Sequence, residues 1–111
     1  MDSELVKGTL SLLILSLLSR RPMYGYEIAA TVHRDTDGAF AFREGSLYPS
    51  LHKLEQQGLI VGQWEEKETG RKRRYYHITD KGRSALAEKT QSWTELHHAV
   101  NQILEKSNGQ A

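Results

Sequence analysis

The chain has 111 residues, no cysteine, 26% charged residues and a formal net charge of +1. A chain of this length buries one modest core, so a single structural unit is predicted. The lack of cysteine excludes disulfides, thiolate metal sites and cysteine nucleophiles. Because the net charge is close to zero, any surface that binds nucleic acid has to be local.

The first predicted helix contains the apolar run LSLLILSLLS and extends from about Glu4 to Ser19. The run has about half the length that a membrane crossing requires, and acidic residues precede it where a signal peptide carries basic ones. We therefore expect a cytoplasmic protein without a membrane partner. Apolar residues cover more than one face of this helix, as in a helix that contacts both its own core and a second chain.

A second helix is predicted to begin near Tyr24 and to end at the polar segment 33–38. In the four residues that follow, 39–42, two phenylalanines alternate with alanines. This period of two indicates a very short strand between the second helix and the third.

The third predicted helix lies in EGSLYPSLHKLEQQGLI, residues 44–60, with Gly58 as its C-terminal stop. Pro49 stands inside this pattern, where a proline costs on the order of 3 kcal/mol. The helix is therefore expected to begin close to Pro49, with either Ser46 or Tyr48 as its N-cap. In both cases the proline stiffens the start of the helix.

Two strand-like runs follow, residues 59–66 and 73–79, and a polar turn that contains a glycine joins them. A last helix, capped by Thr79 or Asp80, is predicted to continue to about Lys106. This order of elements is that of a winged helix-turn-helix with an added C-terminal helix. The predicted fold is thus mainly α-helical with a small β-hairpin wing.

The predicted wing carries four consecutive cations, Arg71, Lys72, Arg73 and Arg74. Such a run is most often a solvated turn, and the acidic residues just before it can partly neutralise it. In a winged helix, however, the wing lies where a phosphate backbone passes, and each Lys or Arg that neutralises a phosphate releases counterions. We therefore interpret these cations as DNA contacts.

The third helix is predicted to expose a polar face beside the wing. Serine, tyrosine and lysine suit phosphates, whereas histidine and glutamine reach base edges in a major groove. An ordinary polar helix face has the same composition, so the neighbouring basic wing decides in favour of DNA. The residues on this face are Ser46, Tyr48, Pro49, His52, Lys53 and Gln56.

Three sequence blocks resemble the PadR family of bacterial transcription regulators: PMYGYEI at 22–28, GSLYPSLHKLEQQGLI at 45–60 and GRKRRYYHITDKG at 70–82. The resemblance implies a dimeric winged helix protein that usually represses transcription and that, in some members, releases DNA on binding a phenolic or drug-like molecule. The single C-terminal helix is similar to that of the family's short subgroup. The family's DNA contacts fall on Ser46, Tyr48, Pro49, Lys53 and Arg71 to Arg74, with a backbone contact at Tyr24, whereas the position of His52 varies.

The C-terminal helix is the predicted dimerisation element, since apolar residues recur along it at heptad spacing and Lys89 interrupts the repeat only once. We expect residues 1–80 to form the DNA-binding domain, 81–107 the dimerisation helix and 108–111 a disordered tail. The expected dimer interface comprises Leu10, Leu13, Leu86, Trp93, Leu96, Val100, Ile103 and Leu104.

Trp93 has two interpretations. It is either an interface anchor, the more common use of a tryptophan at such a position, or one wall of a cavity that stacks on a flat aromatic ligand. The second interpretation follows drug-sensing members that this chain resembles, and it predicts an effector site formed by Trp93, Leu96 and His97.

No catalytic or metal motif is present in the sequence. It lacks a nucleophile elbow and a phosphate-binding glycine loop, and the adjacent His97 and His98 diverge by about 100° on a helix, so they cannot share a metal. We therefore expect neither an enzyme nor a cofactor, and the predicted partners are an inverted-repeat operator in double-stranded DNA and a second copy of the chain. Two alternatives stay open, namely a winged helix that docks a protein and a dimeric small-molecule carrier.

Overall fold

The computed structural model describes residues 8–108. Within this range the chain forms a three-stranded antiparallel sheet, in the order β1-β3-β2, and four helices. This architecture confirms the predicted winged helix-turn-helix with a long C-terminal helix. The elements are α1 (Leu10–Arg20), β1 (Met23–Tyr24), α2 (Gly25–Asp35), α3 (Glu44–Gln56), β2 (Ile60–Glu66), β3 (Lys72–Ile78) and α4 (Asp80–Ser107).

One apolar core joins α1, α2, α3 and the base of the sheet. Ile14 and Leu15 of α1 and Ile28 of α2 are fully buried, and the leucine stripe of α3 packs against them. Burial of each such side chain stabilises the fold by about 1.5–3 kcal/mol. The core thereby sets the angle between α2 and α3, the two helices of the predicted DNA-binding motif.

Two of the predicted boundaries differ from the structure. Gly8 and Thr9 form a turn, so α1 begins at Leu10, and the part of the predicted first helix before Gly8 lies outside the described residues. Met23 and Tyr24 pair with Tyr76 and Tyr75 as strand β1, which the sequence did not indicate. The second helix consequently begins one residue later than predicted, and the Tyr24 N–H donates to Glu27 Oε1 over 3.3 Å.

The predicted short strand at 39–42 is wrong, because this segment is irregular. The N–H groups of Ala39 and Phe40 donate to the carbonyl and the hydroxyl of Thr36, over 2.9 and 3.1 Å, so neither is available to a strand partner. The alternating phenylalanines instead pack edge to face, with ring centroids 5.5 Å apart. Period two here reflects a local aromatic pair.

Both predicted N-caps of the third helix are also wrong. The N-cap of α3 is Arg43, whose carbonyl accepts hydrogen bonds from the N–H groups of Ser46 and Leu47 at 2.9 Å. Pro49 therefore lies in the second turn and cannot donate the usual bond to the carbonyl four residues before it. The apolar neighbours on either side of it, Leu47 and Leu51, are 3% and 1% exposed, and their burial offsets the lost bond.

The start of α4 is fastened to the turn between α3 and β2. Of the two predicted caps, Thr79 is the N-cap, and its hydroxyl accepts from the Gly82 N–H over 3.0 Å. The same hydroxyl lies 2.8 Å from the carbonyl oxygen of Gly58 and 3.1 Å from that of Leu59. Lys81 Nζ donates to the carbonyl of Gln57 over 2.9 Å, which satisfies an acceptor at the C-terminus of α3.

Replacement of Thr79 by valine keeps the shape of the side chain and removes the hydroxyl. We expect the free energy of unfolding to fall by about 1–2 kcal/mol, since a helix cap and its contacts to the turn are lost. Urea unfolding measures the change. The control is Thr90→Val in the exposed middle of α4, where the hydroxyl bonds only the carbonyl of Leu86, and its effect should stay within about 0.5 kcal/mol. Equal effects at both sites would contradict the capping role.

Candidate nucleic-acid interface

The residues predicted on the solvent face of α3 do share one face. Leu47, Leu51 and Leu54 point into the core, and the helical period of 3.6 residues places the polar residues on the opposite side. The exposed residues there are Tyr48, Pro49, His52, Lys53 and Gln56, and Ser46 is half-buried at the edge. The face combines a hydroxyl, a cation and two groups able to read base edges.

Tyr48 is held at the point where α2 and α3 meet. Its side chain is 51% exposed, yet its hydroxyl lies close against Gly25, the first residue of α2. A Cβ at position 25 would lie 2.7 Å from Tyr48 Oη, so any larger residue there would displace the tyrosine side chain from this contact. Gly25 therefore places the tyrosine hydroxyl beside the N-terminal turn of α2. Sequence reasoning missed this role, for which the glycine between two tyrosines in YGY was the available signal.

The four wing cations do not act as one cluster. The hairpin turn is closed by a hydrogen bond of 2.8 Å from the Gly70 N–H to the Lys67 carbonyl, and Gly70 adopts a φ of +78°. Of the four cations, Lys72, Arg73 and Arg74 belong to strand β3. Strand alternation sends their side chains to opposite faces of the sheet. Arg71 and Lys72 are exposed, and no ion pair forms at either of them within residues 8–108.

Arg73 lies over an aromatic ring. Its guanidinium carbon is 4.3 Å from the ring centroid of Tyr24, which in turn meets Tyr75 edge to face at 5.4 Å. A cation above a tyrosine ring is attracted by the ring quadrupole. Tyr24, predicted as a DNA backbone contact, is half-buried beneath this guanidinium, so the structure shows it as a support for Arg73.

Arg74, predicted as a phosphate contact, forms an ion pair with α3. Its Nη2 atom donates to Glu55 Oε2 of α3 over 2.8 Å. This hydrogen bond, before the charge attraction, raises the pKa of the Arg74 guanidinium above its already high value. Glu55 was not predicted as a site residue, because its position at the border of the apolar stripe resembles that of an ordinary surface acid.

The acids that precede the basic run were expected to neutralise it, and Glu65 does not. Its Oε2 atom lies 2.7 Å from His77 Nε2 and its Oε1 atom 3.2 Å from Lys67 Nζ. The hydrogen bond with His77, and secondarily that with Lys67, lowers the pKa of the Glu65 carboxyl. Glu65 is therefore engaged within the hairpin, and the exposed Arg71 and Lys72 keep their charge for an external anion.

The predicted dimer residues separate into two groups. Trp93, Leu96, Val100, Ile103 and Leu104 of α4 are 43–66% exposed and form a continuous apolar stripe. In contrast, Leu10 belongs to the chain's own core, and Leu13 and Leu86 pack partly buried against it. Leu10, only 7% exposed, thus offers almost no surface to a partner.

Two of the three predicted effector residues line a common cleft. This cleft of about 590 Å³ lies between α1, α3 and α4, and Lys53, Trp93 and Leu96 are among the residues that line it. The third, His97, stacks on the Trp93 ring with centroids 4.7 Å apart and an interplanar angle of 10°. Lys53 thus connects the cleft with the polar face of α3.

Residues 8–108 contain neither a metal-binding cluster nor a membrane-spanning helix. No group of three or more histidine, aspartate or glutamate side chains there is arranged to hold a metal ion. No helix in the same range has both the length and the apolar character needed to span a bilayer.

Similar proteins share this arrangement of elements. The profile of the transcriptional regulator PadR-like family matches residues 14–88. The chain is 31% identical to a protein of Lysinibacillus sphaericus, over 93% of this chain and 94% of that one, and 31% identical to the Escherichia coli transcriptional regulator YqjI, of which it spans 42%. A solved PadR-like regulator from Bacillus cereus superposes with a TM-score of 0.80 at 37% identity, covering 92% of this chain and 97% of that one. For a Clostridium thermocellum regulator the TM-score is 0.84 at 31% identity, with 92% and 96% coverage.

Proposed function

Since the chain belongs to the PadR-like family of transcriptional regulators, we propose that it is a homodimeric repressor that binds an inverted-repeat operator in double-stranded DNA. Proteins of this family regulate transcription and are not enzymes. One observation carries the proposal, namely that the exposed polar face of α3 lies beside a wing whose outer cations are unpaired by the described residues. An α-helix fits the major groove, and a wing next to it meets the backbone.

In the proposed complex, α3 enters the major groove. His52 and Gln56 face base edges, while Lys53, Arg71 and Lys72 neutralise phosphates. Phosphate contacts set orientation and affinity, whereas base contacts set the sequence that is preferred. The position of His52, exposed in the middle of the α3 face, makes it the first choice for a specificity-determining residue.

A second copy is proposed to cover the apolar stripe of α4. Five large side chains at 43–66% exposure along one helix face are unusual for a monomer surface. The two recognition helices of such a dimer would read half-sites about one helical turn apart, roughly 10 bp or a multiple of it. A small flat aromatic effector is proposed for the cleft at Trp93, from which it would reach Lys53 and so influence the DNA-binding face.

The salt dependence of binding tests the DNA-binding proposal. The duplex upstream of the protein's own gene is titrated with wild type and with the triple variant Lys53→Gln, Arg71→Gln, Lys72→Gln. We expect the plot of log affinity against log salt to become shallower by about 0.9 for each lost phosphate contact, or roughly 2.7 for each protomer and 5.4 for the dimer, with unrelated DNA affected alike.

The control for this experiment is Lys106→Gln in the last turn of α4, which removes one positive charge, as each of the three substitutions does, far from the proposed DNA-binding surface. It should leave the slope of the wild type unchanged. If the wild-type protein does not bind the upstream DNA, this result would instead favour the second candidate function, a winged helix that docks a protein.

A further inference from the structure

The ion pair between Arg74 and Glu55 joins two elements that both face the proposed DNA. It spans nineteen positions of sequence, from α3 to β3, with Nη2 and Oε2 2.8 Å apart. Within residues 8–108 it is the ion pair that connects the wing with α3, since the other wing pairs, at Lys67 and His77, stay inside the hairpin. The side chains of Arg74 and Glu55 are 36% and 25% exposed, so the pair is partly shielded from solvent.

The guanidinium of Arg74 lies in a space that is open because Gly62 has no side chain. It crosses the β2 backbone at Gly62, where an added Cβ would lie 2.5 Å from Nε and 2.7 Å from Cζ. It also lies 5.9 Å from the ring centroid of the buried Tyr76. Gly62 thus leaves the space through which Arg74 reaches α3, as Gly25 does for Tyr48.

The position of this contact in the sheet indicates which part of the wing it stabilises. Strand β1 pairs only with Tyr75 and Tyr76, so the sheet has three strands there and two beyond. From Arg74 outward, the wing is a two-stranded ribbon, and an isolated ribbon of this kind is marginally stable in water. Arg74 is the first residue of β3 beyond the backbone pairing with β1, and the next residue outward, Arg73, contacts β1 only through its side chain. The contact of Arg74 with α3 therefore supports the wing where the third strand has ended.

We infer that Glu55 and Arg74 are positioning residues for DNA recognition, which hold the wing at a set distance from the recognition helix before DNA is bound. This inference rests on the proposed function and changes the role of Arg74 within it, from a phosphate contact to a brace. A wing that is already in place does not have to be ordered during binding, so the exposed Arg71 and Lys72 meet the backbone without that entropic cost.

Two variants disrupt the brace, the ion pair between Glu55 and Arg74, in different ways. Glu55→Gln removes one charge of the pair, and Gly62→Ala keeps both charges but displaces the flexible end of Arg74 from the space at Gly62. We expect each to weaken operator binding by about five-fold per protomer, the effect of a partly exposed ion pair. Because no phosphate contact is lost, the salt slope should stay close to that of the wild type, apart from the small change that screening of the ion pair itself produces.

Arg74→Gln should behave in the same way, and the double variant Glu55→Gln, Arg74→Gln should bind no more weakly than Arg74→Gln alone. The control is Glu66→Gln, which removes an equal charge from an exposed wing position that forms no ion pair within residues 8–108. It should not weaken binding, since loss of an acid near DNA removes repulsion. In the protein without DNA, amide hydrogen exchange of the hairpin should be faster in Glu55→Gln, Gly62→Ala and Arg74→Gln, and unchanged in Glu66→Gln.

Other results would contradict either the inference or the proposed function. Tighter or unchanged binding by Glu55→Gln would overturn the inference. A slope shallower by about 0.9 for each protomer in Arg74→Gln would show that Arg74 is a phosphate ligand and would overturn it too. Unchanged hairpin exchange in both brace variants would overturn it as well. Absence of DNA binding by the wild type would instead defeat the proposed function, and the exchange measurement would still decide whether the pair holds the wing.

Discussion

Replacement of Gly82 by alanine is expected to lower the free energy of unfolding by about 3 kcal/mol or more. A Cβ at this position would overlap the carbonyl oxygen of Leu59 and lie 2.8 Å from Cγ1 of Ile78. The carbonyl cannot move away, since it accepts the Thr79 N–H over 3.0 Å, and the N–H of Leu59 is bound to the Leu54 carbonyl over 3.0 Å. The overlap therefore has to separate α4 from the turn that holds it.

Thermal or urea unfolding measures this effect, and Gly45→Ala is its matched control. Gly45 also lies in the first turn of a helix, α3, but an added Cβ there meets no atom within 4 Å. Alanine at position 45 should be neutral or stabilise by up to about 1 kcal/mol, because it favours helix. A stabilising result at Gly82 as well would show that helix propensity outweighs the close approach, contrary to our expectation.

The second large effect is expected from charges placed on the apolar stripe of α4. In the double variant Leu96→Glu, Ile103→Glu, two side chains that are 63% and 66% exposed in one protomer become anionic. A carboxylate cannot be buried unpaired in the proposed interface, so the protein should become a folded monomer at micromolar concentration. A monomer binds one half-site and loses the linked contact with the second half-site. Operator affinity should therefore fall by at least about 100-fold.

Sedimentation equilibrium and DNA titration measure the two parts of this prediction. The variant His98→Glu, Gln102→Glu adds the same charge to the opposite face of α4 and controls for charge and helix propensity. It should remain a dimer and bind DNA only slightly more weakly, through general repulsion. Persistence of the dimer in Leu96→Glu, Ile103→Glu would exclude this stripe as the interface.

Much of the fold follows from local patterns. The leucine stripe around Leu47, Leu51 and Leu54 predicts both the third helix and the face that it exposes, since the helical period relates one to the other. The wing is likewise evident from strand-forming residues around a glycine-containing turn. The misjudged segment 39–42 shows the limit, because alternation over four residues cannot distinguish a strand from two rings that pack on each other.

The N-terminal boundary of α3 illustrates a different limit. Pro49 and local capping rules placed the start near Ser46 or Tyr48, but the helix begins at Glu44. Burial of Leu47 and Leu51 outweighs the preference of a proline for the first turn, and burial is a property of the assembled core. Local propensities therefore identified the helix but misplaced its N-terminal boundary.

The order of the helices and of the two wing strands, the basic character of the wing and the polar face of α3 follow from the sequence alone, because each depends on the spacing of residues that are close along the chain. Only the tertiary structure decided which cations are exposed and which are engaged. Arg71 through Arg74 read as one run, yet strand alternation and the distant Glu55 give them separate roles. The same holds for Gly25, Gly62 and Gly82, whose importance lies in atoms of other elements that a Cβ would meet. Contacts between segments far apart along the chain leave no local pattern, and these contacts position the proposed DNA-binding surface.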